Sequence, residues 1–309
     1  MRLAMVGLGK MGANMTLRLV RAGHEVIGFD VNPDAVAEVE AQGAIGATSL
    51  DDAIGKLEAP RVVWLMLPAG RITQDTINQT AAAMQPGDVI VDGGNSRFTD
   101  GVESAMSLQE RGISFLDAGV SGGVWGLENG FCLMVGGTAE AVEVVRPVFE
   151  SLAPADGFAH VGPPGAGHYV KMVHNGIEYG LMQAYAEGFE LMAAAEEFQL
   201  DLHQISELWR HGSVVRSWLL DLTERALADE PTLSEIQPVV ADSGEGRWTV
   251  EDAVNRAVPL PVITASLYAR FATRDVNAFG ARLLAALRNQ FGGHAVLVED
   301  TAVEPNPKA

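Results

Sequence analysis

Short apolar runs recur along the first half of the chain, at residues 3–6, 25–29, 62–67, 89–92, 114–116 and 131–135. Most are followed by Gly- or Asp-rich turns, and the segments between them carry helical patterns. That alternation predicts a doubly wound parallel sheet flanked by helices, the α/β class. Beyond Gly162-Pro163-Pro164-Gly165-Ala166-Gly167 the pattern changes. Helical periodicity dominates there, first over a long stretch at 169–197, then over 202–209, 215–227, 262–271 and 277–290. Two domains are expected: a Rossmann-type dinucleotide-binding domain over 1–165 and an all-helical domain over 166–309, with a loose tail from Glu299.

The 309 residues suffice for two cores of ordinary size. Their 48% hydrophobic content fits a globular protein without a membrane span, since no apolar run approaches about 18 residues. The first strand begins at residue 2, which leaves no room for a signal peptide, so a cytosolic location is expected. One cysteine, Cys132, excludes an intrachain disulfide and, lying in an apolar run, is expected to be buried. The net charge of −19 disfavours nucleic-acid and membrane partners. An anionic substrate then requires a local convergence of scarce cations.

Gly7-Leu8-Gly9-Lys10-Met11-Gly12 follows the first strand and opens a helix. This is G-x-G-x-x-G in its proper context: a tight turn, a close backbone approach to a pyrophosphate, and a close helix–strand contact. Asp30, at the end of the second strand, suits the adenosine ribose hydroxyls and opposes a 2′-phosphate. Val31-Asn32-Pro33 after it offers no arginine, so NAD is favoured over NADP. Leu67-Pro68-Ala69-Gly70 and Asp92-Gly93-Gly94-Asn95-Ser96 end later strands and are expected to line the same crevice, with Asn95 reaching both cofactor and substrate. Plain turns are the alternative for either loop.

In the stretch from His168 to Tyr179, Lys171, His174, Asn175 and Glu178 stand at i, i+3, i+4 and i+7, on one helix face. The intervening Val170, Met172, Val173 and Ile177 suggest a narrow polar stripe on an otherwise buried rod. A solvated face with a Lys–Glu pair would give the same charge pattern. Gly176 in mid-helix and the poor helix formers His174 and Asn175 point instead to a functional face. A partly desolvated Lys171 suits a base, and Glu178 in such a cleft suits an acid.

These motifs resemble the 6-phosphogluconate dehydrogenase family, within the β-hydroxyacid dehydrogenase superfamily, over nearly the whole chain. The glycine fingerprint, Asp117-Ala118-Gly119-Val120-Ser121-Gly122-Gly123 and a Lys with an Asn four residues on belong to the superfamily. Asp92 to Ser96, Lys171 to Tyr179 and a Gly-x-Trp-Thr element belong to the narrower family. The resemblance implies oxidative decarboxylation of 6-phosphogluconate to ribulose 5-phosphate, with Lys171 as base and Glu178 as acid. Asn95, Ser121, Gly122, Gly123, His174 and Asn175 would hold the sugar acid. Tyr179, Arg247, Arg270, Arg288 and His294 would meet its phosphate, and no metal is implied. Arg247 stands where the family commonly has Lys, and Asp242-Ser243-Gly244-Glu245 departs from its usual Lys-Gly-Thr. The helical region is short, which leads to an expected homodimer or homotetramer. In the family, residues matching Arg288 and His294 reach a neighbouring subunit's site; a last helix folded back onto its own chain's cleft is the alternative. A non-decarboxylating 3-hydroxyisobutyrate-type dehydrogenase and a catalytically silent dinucleotide-binding regulator are the competing readings.

Overall fold

The computed structural model describes residues 1–274 and 279–292. The first half runs β1 (Arg2–Val6), α1 (Lys10–Arg21), β2 (Glu25–Phe29), α2 (Pro33–Glu40), β3 (Ile45–Gly46), α3 (Leu50–Gly55), β4 (Val62–Leu65), α4 (Arg71–Ala83), β5 (Val89–Asp92) and α5 (Phe98–Gln109). It continues through β6 (Ser114–Ser121), α6 (Gly126–Asn129), β7 (Cys132–Gly136), α7 (Ala139–Leu152) and β8 (Phe158–Gly162). The strands form one sheet in the order β3-β2-β1-β4-β5-β6-β7-β8. Pairing is parallel except between β6 and β7, where Asp117 faces Gly136 and Ser121 faces Cys132 in an antiparallel ladder.

Alternation along each strand divides the core between two layers. Leu3, Met5, Trp64, Val91 and Leu116 face the cluster that includes Met15 and Leu19 of α1, Val39 of α2 and Val145 of α7. Ala4, Val6, Val63, Leu65 and Ile90 face the opposite cluster, with Ile54 of α3, Ile77 of α4 and Leu108 of α5. Strand order reverses between β1 and β4, which places the ligand crevice at the carboxyl ends of those strands.

Helices follow: α8 (Ala166–Ala194), α9 (Leu202–Trp209), α10 (Trp218–Asp229), α11 (Glu245–Arg256), α12 (Pro261–Ala272) and α13 (Phe279–Gly292). The chain separates into two compact units. The first holds Met1–Leu200 and Ser243–Thr264, and the second holds Asp201–Asp242 and Ala265–Ala309. The first unit therefore contains α8 and α11 as well as the sheet. In the second, α9 and α10 pack together, and Ser206 of α9 and Leu220 of α10 are buried. Arg210 joins them, its Nε 2.8 Å from Asp221 and its Nη1 2.9 Å from Glu224. Among the described residues, no helix is long and apolar enough to cross a membrane.

Two expectations need correction. Cys132 is exposed, although its neighbours Phe131 and Leu133 are buried: it opens β7 and lies on the face opposite theirs, where only the strand's first residue is left uncovered. The rod carrying the polar stripe is buried only in part on its apolar positions. Met172 is buried and Val173 half-buried, but Val170 and Ile177 are exposed, and the cover extends over Lys171 and Asn175 of the stripe while His174 and Glu178 stay partly open.

Candidate active site

The turn after β1 shows what each fingerprint glycine contributes. Gly7 has φ +91°, and a Cβ there would lie 2.4 Å from the carbonyl oxygen of Met66. A Cβ on Gly12 would stand 1.9 Å from the Gly7 carbonyl oxygen, so this glycine lets α1 press against the turn. Outside Gly9 nothing lies within 4 Å, which leaves the backbone open to a ligand. Gly9 caps α1 without a side-chain hydrogen bond, and the first turn carries no acidic residue. Its amide groups and the positive end of the helix dipole are therefore available to an anion. Asp30 accepts from the Leu8 amide at 2.7 Å and from the Asn32 amide at 2.8 Å. A carboxylate has about four lone-pair positions, so two remain for ribose hydroxyls. Val31 beside it is 93% exposed and brings no cation. An open backbone, uncapped amides and a fixed carboxylate fit a dinucleotide.

Two further loops meet this crevice. Pro68 and Ala69 are exposed, Leu67 is half-buried, and the Pro68 carbonyl accepts from Thr73 Oγ1 at 2.8 Å. In the loop after β5, Asp92 Oδ1 accepts from the Gly94 amide at 3.0 Å, and Asn95 is exposed. Asp92 Oδ2 lies 3.3 Å from His168 Nε2, with both side chains buried, at ion-pair distance without hydrogen-bond alignment. Burial opposes the charge on each, but the pair prevails. The His168 pKa is raised by Asp92, Asp117 and Glu245, and that of Asp92 is lowered chiefly by His168.

The start of α8 is held from a distance. Its cap residue Gly165 makes no side-chain cap. Instead Asp117 of β6, fully buried, accepts from the Gly165 amide at 2.7 Å and from the His168 amide at 2.8 Å. Close backbone contact completes the seat. A Cβ on Gly167 would fall 2.2 Å from the Asp117 carbonyl oxygen, and one on Gly119 would fall 2.5 Å from Lys171 Cβ.

Lys171 is thereby pinned over β6 and is 7% exposed. Its Nζ donates to Asn175 Oδ1 at 2.5 Å, and the same oxygen lies 3.1 Å from His174 Nδ1. If His174 donates through Nδ1, its Nε2 accepts from Ser121 Oγ at 3.4 Å, and this network assigns the tautomer. Burial lowers the Lys171 pKa, while Glu245, Glu178 and Cys132 pull it up. Glu178 is half-buried, its Oε2 3.8 Å from His174 Nδ1. Gly122 and Gly123 both have positive φ at the end of β6.

The mid-helix glycine has its counterpart in α11. A Cβ on Gly176 would meet Thr249 Cγ2 at 2.8 Å, and Thr249 Oγ1 donates to the Met172 carbonyl at 2.9 Å. Tyr179 is buried, its hydroxyl accepting from the Ser243 amide at 3.0 Å, and Arg247 is exposed on α11. The first unit thus assembles the fingerprint loop, Asp30, the loops after β4 and β5, Ser121, Lys171, His174, Asn175, Glu178, Tyr179 and Arg247. Arg270 and Arg288 belong to the second unit. There Arg270 Nη1 donates to the Ala241 carbonyl at 3.0 Å, and Arg288 is exposed on α13. His294 lies outside the described residues. The structure adds Glu245, which is 2% exposed at the start of α11 and whose pKa burial raises to about 7. In the sequence it registers only as a departure from a family motif, since its burial comes from α8.

A model of the NAD binding domain of 6-phosphogluconate dehydrogenase matches residues 2–162, and one of the 6-phosphogluconate dehydrogenase C-terminal domain matches residues 167–279. An NAD(+)-dependent, decarboxylating 6-phosphogluconate dehydrogenase of Haloferax volcanii is 44% identical over 302 residues, covering 97% of this chain and 100% of the relative. The 6-phosphogluconate dehydrogenase of Plasmodium falciparum, solved with NADP+ and with 6-phosphogluconate, superimposes with a TM-score of 0.82 at 27% identity. That match covers 98% of this chain and 67% of the other. A 3-hydroxyisobutyrate dehydrogenase of Mycobacterium tuberculosis gives 0.71 at 29% identity, covering 88% and 93%. With both domain models matched in order over a sheet and helix that bring their motifs together, this chain belongs to the 6-phosphogluconate dehydrogenase family.

Proposed function

We propose that this chain oxidises and decarboxylates 6-phosphogluconate to ribulose 5-phosphate and CO2, with NAD as the electron acceptor. The observation that carries the proposal is Lys171: a buried amine, its pKa lowered by burial, on the same helix face as Asn175 and Glu178 and in the same compact unit as the dinucleotide turn. Gly7, Leu8, Gly9, Lys10, Met11, Gly12 and Asp30 hold the dinucleotide, with Leu67, Pro68, Ala69 and Asn95 along its nicotinamide end. Bound there, the nicotinamide supplies a hydride acceptor.

Lys171 takes the proton from the C3 hydroxyl as hydride leaves C3. The ammonium so formed faces the new carbonyl oxygen and stabilises negative charge on it while the C1 carboxylate departs as CO2. Glu178 then gives its proton to C1 of the resulting enediol. Asn95, Ser121, Gly122, Gly123, His174 and Asn175 orient the sugar acid. Tyr179, Arg247, Arg270, Arg288 and His294 supply hydrogen bonds and positive charge to the phosphate. Residues 166–309 serve as the substrate-binding and dimerisation region, and Arg288 and His294 complete the site of a neighbouring copy. NAD is preferred because a 2′-phosphate would meet Asp30 with no adjacent cation to offset it.

The deciding assay follows absorbance of the reduced nicotinamide and CO2 release together, with 6-phosphogluconate and with 3-hydroxyisobutyrate. Turnover of 6-phosphogluconate with equimolar CO2 is the expected result. Turnover of 3-hydroxyisobutyrate alone establishes a non-decarboxylating enzyme, and dinucleotide binding without turnover of either establishes a silent regulator.

A further inference from the structure

One buried ionisable group beside the base takes no part in these steps. Glu245 opens α11 directly after Gly244, and among the described residues its Oε2 has no hydrogen-bond partner. A carboxyl oxygen removed from water and left unpaired is costly as an anion, and the cost falls when the group holds a proton or meets an opposite charge. The fold brings both remedies to it. Thr249, one turn along α11, is bonded to the Met172 carbonyl next to Lys171, and Gly246 packs on the ring of Tyr179, so α11 is locked to α8 beside the base. The ionisable groups acting on Glu245 are Lys171, His168 and Glu178, all on α8. Those acting on Lys171 are Glu245, Glu178 and Cys132 of β7. His168 is itself engaged by Asp92 of β5 and Asp117 of β6.

We propose that Glu245 is the charge partner of Lys171, a positioning residue that sets the charge state of the base across the α8–α11 contact without touching the sugar acid. The proposal rests on the reading of Lys171 as the base. Among the described residues no hydrogen bond or ion pair joins the two side chains: Lys171 Nζ donates to Asn175 and Glu245 Oε2 stands unpaired, so the coupling acts through space. An ionised Glu245 favours the ammonium, and a protonated Glu245 releases that hold on the charge. Only the neutral amine has the nitrogen lone pair that accepts the C3 hydroxyl proton. Burial favours it by pushing the carboxyl up to about 7 and the amine down.

Lys171 can be observed directly, because the chain has four lysines, Lys10, Lys56, Lys171 and Lys308. In protein labelled with 13C at the lysine Cε, the Lys171 signal is assigned by its loss in Lys171→Met. The wild-type signal is expected to show an inflection near pH 7 as Glu245 ionises, in addition to its own titration. In Glu245→Gln that inflection disappears and the Lys171 midpoint falls by about one pH unit. The acid limb of kcat/KM for 6-phosphogluconate with NAD moves down with it, and Glu245→Asp restores most of the shift. A wild-type signal without the inflection overturns the proposal, and this measurement needs no variant at Glu245. So does a Glu245→Gln enzyme whose activity drops with midpoint and pH profile unmoved, since a structural role alone would do that. If the wild type fails to turn over 6-phosphogluconate, the proposed function falls, while the Lys171 titration still decides the coupling.

Discussion

Asp117→Ala should unfold the catalytic helix from its first turn. The carboxylate is fully buried and accepts two backbone donors, Gly165 at 2.7 Å and His168 at 2.8 Å, at a helix start with no cap of its own. Hydrogen bonds to a charged group contribute about 1.5–3 kcal/mol each, so losing both costs about 3–6 kcal/mol. His168 also loses one of the acidic groups that support its charge. Removing a desolvated carboxylate returns part of this, which brings the expected loss to about 3–5 kcal/mol. Asp117→Asn keeps one carbonyl acceptor but turns an amino group toward the other donor, and should lose about half as much. Urea unfolding followed by far-UV circular dichroism gives the difference directly, provided the m-value is unchanged. A loss below about 1 kcal/mol for Asp117→Ala would refute the view that this carboxylate, and not the surrounding packing, secures α8.

Three further expectations can be checked independently. Lys171→Met should lower kcat by several orders of magnitude with little change in dinucleotide affinity, because base and positive charge vanish together; more than about a tenth of wild-type kcat would place the base elsewhere. NAD should exceed NADP at least about tenfold in kcat/KM, and Asp30→Ala should narrow the gap, so that equal use of both by the wild type would sink the ribose reading. Glu245 has a folded pKa raised to about 7 from an ordinary 4.5, so its contribution is full below the unfolded value and is lost as pH rises through 7. Between pH 5 and 8 the wild type should lose about 2.5 kcal/mol relative to Glu245→Gln, and a pH-independent difference would contradict the burial of that carboxyl.

The central strands were legible because their apolar runs are covered on both faces, as in β1, β4 and β5. At the ends of the sheet the signal fades. The two-residue β3 has no room for a pattern, and β8 exposes Ala159, His160 and Val161. The fingerprint glycines and Asp30 could be placed in the fold from spacing alone, since their positions are fixed within one βαβ unit. So could the stripe on α8, and Gly176 signalled a close neighbour without naming it as Thr249. What covers that stripe was not legible. Asp242 to Glu245 registered only as a departure from a motif and no helix was expected directly after it, whereas Glu245–Arg256 form α11, whose Gly246 and Thr249 fit against α8. Helix capping shows the same limit: no local residue marks the start of α8, because its cap lies 48 residues upstream in β6.

That distant cap, with the glycine contacts beside it, also orders events when the chain folds. The seat for α8 is made of the Asp117 side chain and of main chain from two paired strands, β6 and β7, so it does not exist until they have paired. Closing a loop of about 50 residues is slow beside local helix formation, and helix without a seat does not hold Lys171 in place. Recovery of turnover after dilution from urea must then follow formation of the sheet and never precede it. During thermal unfolding, amide protons at His168 and along the first turn of α8 should exchange with solvent at the same opening that exposes the amides of β6.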